Sequence, residues 1–211
     1  MEKTLLRVDR TEDGAVVALT LNRPESRNAL NQVLARALLD ACTALATDDA
    51  TRVVIVTGAG DRAFCAGADL TERHGLTGPQ RAAHTELISR AADALAGLPM
   101  PTIAAIRGYA VAGGAELAIA CDLRVAGDDA VLGFPEVKIG IFPGAGGAVR
   151  LPALVGSGAA RDLLFSGRFV PADEAMRLGL LDRLVEPKDV LDCAMELAHE
   201  MASNAPLAIR A

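Results

Sequence analysis

Three stretches of this chain carry residue types that can manage charge and protons on a small molecule. Gly108-Tyr109-Ala110-Val111-Ala112-Gly113-Gly114-Ala115-Glu116-Leu117 brings glycines to the start of a helix and puts a carboxylate, Glu116, in its first turn. Unpaired amides and the positive dipole end at such a terminus favour a developing negative charge. Phe134-Pro135-Glu136-Val137-Lys138 sets a second carboxylate in a loop between apolar neighbours, shortly before the glycine turn at Gly144. Ala63-Phe64-Cys65-Ala66-Gly67-Ala68-Asp69-Leu70 is a run of mostly small residues after a strand, where a ligand can approach the main chain and accept hydrogen bonds from it. Singly, each has a plain alternative: a helix-start residue for Glu116, a solvated charge for Glu136, a tight turn for the small-residue run. Jointly they offer two sets of backbone donors and two acids, the parts needed to stabilise an oxyanion and move a proton beside it.

The elements that must position them are legible from periodicity. Ala15 to Leu21 is a short apolar run stopped by Asn22-Arg23-Pro24, a strand and its turn. Val33, Leu34, Ala37, Leu38, Ala41 and Leu45 recur at helical steps. Val53 to Val56 and Thr102 to Ile106 are continuous apolar runs of strand length, as in strands buried on both faces. Helices are expected from about His84 to Leu95 and from Gly113 to about Cys121, and short strands at Leu123 to Ala126 and Ala130 to Gly133. Beyond Pro152 only helical patterns are read, at Ala159 to Phe165, Ala172 to Leu178 and Val190 to Met201. With 211 residues the chain can bury about 70% of its unfolded surface, and no Gly-, Ser- or Pro-rich linker divides it, so one domain is expected.

Several functions are disfavoured. A net charge of −6, no Trp, one Tyr and five Phe make a poor nucleic-acid surface. No run of about eighteen apolar residues suggests a membrane span, and Met1 to Arg10 lacks the apolar core of an export signal. Gly58-Ala59-Gly60 is followed by Ala63 where a dinucleotide fingerprint needs its third glycine, and Gly144-Ala145-Gly146-Gly147 lacks the Lys and Ser/Thr of a phosphate loop. His74, His84 and His199 form no H-E-x-x-H and read as surface or helix-face residues, so no metal ligand set is visible. Cys42, Cys65, Cys121 and Cys193 form no C-x-x-C pair and read as four buried thiols in a reduced, cytoplasmic setting.

Ala63 to Leu70, Gly108 to Asp122 and Pro135 to Leu151 together resemble, in order and spacing, the three signature segments of the crotonase superfamily, the enoyl-CoA hydratase/isomerase family. The resemblance covers the whole chain. It implies an α/β fold, a spiral of repeated β-β-α units, with a core over about 1–150 and a helical part over about 152–211 that stops at Ala211 where relatives usually continue into further helices. By the same resemblance the Ala68 and Gly113 amides form an oxyanion hole for an acyl-CoA thioester, Glu116 and Glu136 share the reacting water, and Gly144 aims its amide at that water. Arg27, Ala29, Ala66, Asp69 and Leu70 would line the CoA site. Thr71 stands where many relatives have lysine, and Arg73 follows two residues on.

Two glutamates imply a hydratase, adding water syn to a 2-enoyl-CoA, with no cofactor beyond the CoA of the substrate. An enoyl-CoA isomerase or other lyase of the same fold is the alternative, and RNA binding of the methylglutaconyl-CoA hydratase type is an alternative of another class, because Ala66 to Arg73 is similar to that branch. The resemblance further implies trimers or pairs of trimers and a place in fatty acid metabolism. Glu72 to Gln80, which should border the acyl pocket, carries no readable code for chain length or branching.

Overall fold

A computed structural model describes residues 4–210. The chain winds through successive turns, and the three over 53–96, 102–120 and 123–166 each lay one strand into a large sheet and the next into a small one before a helix returns it. The large sheet runs β1 (Leu6–Arg10), β2 (Val16–Leu21), β3 (Val53–Gly58), β5 (Thr102–Ile106), β7 (Leu123–Gly127), β10 (Arg183–Val185), all parallel except β1. The small sheet runs β4 (Ala63–Cys65), β6 (Tyr109–Val111), β8 (Val131–Gly133), β9 (Phe169–Pro171), the first three parallel and β9 antiparallel. Helices α1 (Gln32–Leu45), α2 (Leu70–His74), α3 (Gly78–Ala96), α4 (Gly113–Ala120) and α5 (Gly147–Ser166) make the returns. Helices α6 (Ala172–Leu178), α7 (Val190–Ala202) and α8 (Pro206–Arg210) follow. This is the β-β-α spiral that the resemblance implied.

Strand alternation divides the core between the two faces of the large sheet. Val17, Leu19, Val54, Val56, Ala104 and Ile106 join Leu34, Leu38 and Leu95 of the helices on one side. Val16, Val53, Ile55, Ile103 and Val125 point the other way onto Val190, Ala194 and Leu197 of α7. Burial on both faces is why these strands read as unbroken apolar runs.

Three expectations are revised. The segment beyond residue 152 is not purely helical: β9 closes the small sheet against β8, and β10 adds to β7 in the large one. Three-residue strands are too short to show a period. Helix α3 begins at Gly78, well before His84, because Thr77 and Gln80 close its start, with the Thr77 amide donating to Gln80 Oε1 at 2.9 Å. Helix α5 already begins at Gly147, carrying Pro152 inside it and a kink at Gly156, whose φ of +77° is open to glycine.

Candidate active site

The first donor is fixed by one bridge. Leu30 pairs in parallel with Ala68: the Leu30 amide donates to the Gly67 carbonyl at 2.8 Å, and the Asp69 amide donates to the Leu30 carbonyl at 2.9 Å. In such a pairing the residue flanked by the two bonds turns its own amide away, and the Ala68 N–H has no acceptor among the described residues. The second donor lies beside it because β4 and β6 are parallel neighbours, Ala63 opposite Tyr109 and Cys65 opposite Ala110, so both chains leave the sheet at the same end. Ala112, held at φ 50° and ψ −130°, donates to the Gly133 carbonyl at 2.9 Å and turns the following peptide so that Gly113 N–H opens helix α4 unpaired. A side chain does not normally sit at that φ, so the strain marks a place that the fold over-determines.

The two loops touch. A Cβ on Gly67 would lie 3.0 Å from Gly113 N, and one on Gly113 would lie 3.8 Å from Ala68 N. A Cβ on Gly114 would overlap the Cys65 carbonyl, so only glycine lets α4 start this close to β4.

Both acids are buried, Glu116 at 3% and Glu136 at 4% exposure, which overturns the solvated-charge reading of Glu136. Glu116 Oε1 accepts the amides of Ala145 at 2.7 Å and Gly147 at 2.8 Å from the turn before α5. Burial pushes the Glu116 carboxyl above its ordinary value, while those two amides and Arg150 pull against it. Glu136 sits in the 3-10 turn Pro135–Ile139 after β8, and its Oε2 is buried without a partner among the described residues. Burial raises its pKa to about 7, its own amide opposes the rise, and the nearby Glu116 adds to it. Ala68, Gly113, Glu116, Glu136 and Gly144 all line one cavity of about 270 Å³, with Ile88, Ile139, Ile141 and Phe142 on its walls. Gly144 lines it too, but the amides that reach Glu116 belong to Ala145 and Gly147.

The remaining expected contacts divide. Ala66 and Leu70 line the cavity. Arg27, Ala29 and Asp69 do not; they brace the donor segment. The Arg27 carbonyl accepts Ala66 N–H at 3.1 Å while its side chain is exposed, and Arg23 donates to the Ala29 carbonyl. The Asp69 carboxylate caps α2 through Thr71 and Glu72 amides and pairs with Arg23 at 2.8 Å. Burial works against that charge, but Arg23 and the amides outweigh it and hold the carboxyl below its usual range.

Of the two readings given for it, surface or helix face, His84 takes the second. It is buried on α3, and its Nε2 donates to the Leu30 carbonyl at 3.0 Å, the acceptor that also holds Asp69. The signal was its spacing: 84, 88, 91, 92 and 95 form the buried face of α3. Burial depresses its pKa, with Glu72 and the Leu30 carbonyl opposing, so it is held as a neutral donor near neutral pH. Cys193 is only half-buried, unlike Cys42, Cys65 and Cys121, whose thiols burial pushes up to about 12. Among the described residues no group of His, Cys, Asp or Glu is arranged to hold a metal ion, and no helix is long and apolar enough to cross a membrane.

The family model described as enoyl-CoA hydratase/isomerase matches residues 11–211. The chain belongs to that family. The short-chain-enoyl-CoA hydratase of Clostridium acetobutylicum is 39% identical over 199 residues, covering 94% of this chain and 76% of that protein. The crotonyl-CoA hydratase of Syntrophomonas wolfei is 40% identical over 195 residues, covering 92% and 75%. The crystal structure of an enoyl-CoA hydratase from Bacillus anthracis superposes with a TM-score of 0.95 at 42% identity, covering 98% of this chain and 80% of that one. Membership in the enoyl-CoA hydratase/isomerase family also places the β-β-α spiral among crotonase folds.

Proposed function

We propose that this member of the family is an enoyl-CoA hydratase, adding water across the double bond of a 2-enoyl thioester. The observation that carries the reading is convergence: two unpaired amides from successive turns of the spiral and two buried carboxylates face one small cavity. The thioester oxygen sits between the Ala68 and Gly113 amides. Addition at the β-carbon drives charge onto that oxygen, so the donors bind the transition state more tightly than the substrate, each worth about 3 kcal/mol.

The acids divide the proton work by their surroundings. Two amides aimed at Glu116 Oε1 favour its ionised form, whereas Glu136 Oε2 has no donor, so Glu136 holds the proton that the pair resists losing. Glu116 takes a proton from water as the oxygen bonds to the β-carbon, and Glu136 gives its proton to the α-carbon. Water has then been added as a hydroxyl and a proton, and the proton on Glu116 must return to Glu136 for the next turnover. CoA enters as part of the substrate.

Self-association into trimers is part of the proposal, supported by Val149 and Phe165, which are exposed and lie outside the cavity. A role in lipid metabolism in a reduced, cytoplasmic compartment is also proposed, supported by the free cysteines. The test is loss of the conjugated thioester's ultraviolet absorbance with purified protein. Glu116→Gln and Glu136→Gln are each expected to lower kcat by about 10²–10⁴ with product binding retained. Wild-type rates in both variants would refute the assignment, and conversion of a 3-enoyl-CoA without water uptake would point to the isomerase.

A further inference from the structure

The turn whose amides hold Glu116 is itself gripped from behind by one side chain. Arg150 lies in the first turn of α5, outside the cavity wall. Its Nη1 donates to the Ala145 carbonyl at 2.9 Å, and its Nη2 pairs with Asp93 Oδ1 of α3 at 2.7 Å. Its own amide donates to the Gly146 carbonyl at 2.8 Å. A trans peptide points its C=O and N–H in opposite directions. The pull on the Gly146 carbonyl therefore turns Gly147 N–H the other way, to Glu116 Oε1 at 2.8 Å. The grip on the Ala145 carbonyl fixes the residue whose N–H reaches the same oxygen at 2.7 Å. Gly146, with φ of +101°, leaves the room: a Cβ there would overlap Arg150 Nη1, so the guanidinium lies against bare backbone.

The charges around Glu116 make this cation count. Burial raises the Glu116 carboxyl, and against it work the two turn amides and the charge of Arg150. Glu136, from the turn Pro135–Ile139, is the neighbouring acid. The other elements packed on α4 bring no further free charge: Arg124 of β7 pairs with Asp182, His84 of α3 bonds the Leu30 carbonyl, and Cys65 of β4, its thiol pushed up to about 12, stays neutral. Lys138, beside Glu136, lies over the Phe169 ring. Asp93 is 63% exposed and Arg150 only 23%, so water screens the acid more than the cation that it anchors. Resting on the hydratase reading above, we infer that Arg150 is a positioning residue for the reaction: braced by Asp93, it clamps the Ala145–Gly147 turn onto Glu116 and stands as counter-charge to the base that takes the proton from water. The competing role is purely structural, a tie between α3 and α5, and the test separates the two.

The experiment follows hydration of the best-used member of a panel of 2-enoyl-CoAs by wild type, Arg150→Met and Arg150→Lys as a function of pH. Arg150→Met should lower kcat about 10- to 100-fold while KM changes by no more than about twofold. Its acid limb of kcat/KM should move up by about one pH unit, because a base without its counter-charge ionises later. Arg150→Lys keeps the charge but replaces the fork by one ammonium, so it should hold the limb near its wild-type place and recover only part of kcat. Circular dichroism and thermal melting check that the variants fold; should Arg150→Met not fold, Arg150→Lys carries the test by its reduced kcat. Wild-type kcat in Arg150→Lys overturns the clamp. A lowered Tm in Arg150→Met with kcat and the acid limb unmoved, or a loss confined to KM, leaves only the structural tie and overturns the inference alone. Hydration of no member of the panel by wild-type protein overturns the hydratase reading, and this inference with it.

Discussion

Replacing Glu136 by glutamine should make the protein more stable and less active, and the size of the gain should depend on pH. In the folded chain the Glu136 carboxyl keeps its proton up to about pH 7, against an ordinary 4.5, because it is buried with one oxygen unpartnered beside Glu116. Between those two values the folded state binds more protons than the unfolded state, so stability declines as pH rises through the window. Below 4.5 both states are protonated and nothing is lost; above about 7 the whole cost of burying the charge is present. The gap corresponds to about 3 kcal/mol. Glutamine has the same shape and no proton to lose, so its advantage over wild type should be near zero at about pH 4.5 and about 3 kcal/mol at pH 8. In a domain of this size that is a rise of about 6–12 °C in Tm. Thermal melts of both proteins across this range, paired with hydration rates, measure it. A Tm difference that does not change with pH, or a variant less stable at pH 8, would refute the argument that Glu136 is a buried, strained acid.

Three further outcomes follow from the same geometry. Because Glu136 must carry its proton in the free enzyme, kcat/KM for hydration should fall above about pH 7, and Glu136→Gln should abolish that limb in the residual rate. Gly114→Ala forces a methyl into the Cys65 carbonyl and should cost about 1–3 kcal/mol in urea melts while displacing the Gly113 donor and sharply lowering kcat. His84→Ala removes the second donor on the Leu30 carbonyl and opens a buried gap. It should cost about 2 kcal/mol and lower kcat more than it raises KM, because Ala68 is positioned through Leu30; an unchanged kcat would show that Asp69 N–H alone sets the bridge.

Much of the frame was legible because the residues that build it act locally. Val53 to Val56 and Thr102 to Ile106 declare two-faced burial by composition alone, and α1 by its spacing. Strands β4, β6, β9 and β10 were not legible, since three residues carry no period and their partners lie far away in sequence. Glu116 and Glu136 stood out by type, but nothing local says that both are buried or that two amides from the Pro143 turn converge on one of them. Asp69 was expected among the substrate contacts through its backbone, and nothing local shows that its carboxylate caps α2 and pairs with Arg23, 46 positions earlier. His84 was read as surface or helix face, and its helical spacing from Ile88 could have decided for the buried face of α3.

Half of the reacting constellation is written in the main chain. The hydrogens offered by Ala68 and Gly113 are present whatever side chain those positions carry, and proline alone would delete them. Drift at these two places is therefore policed by room and by backbone angle, not by functional groups, while either glutamate can be lost in one exchange. A descendant of this chain would be expected to trade its acids, and so its reaction, long before it gave up the corner that grips the oxygen.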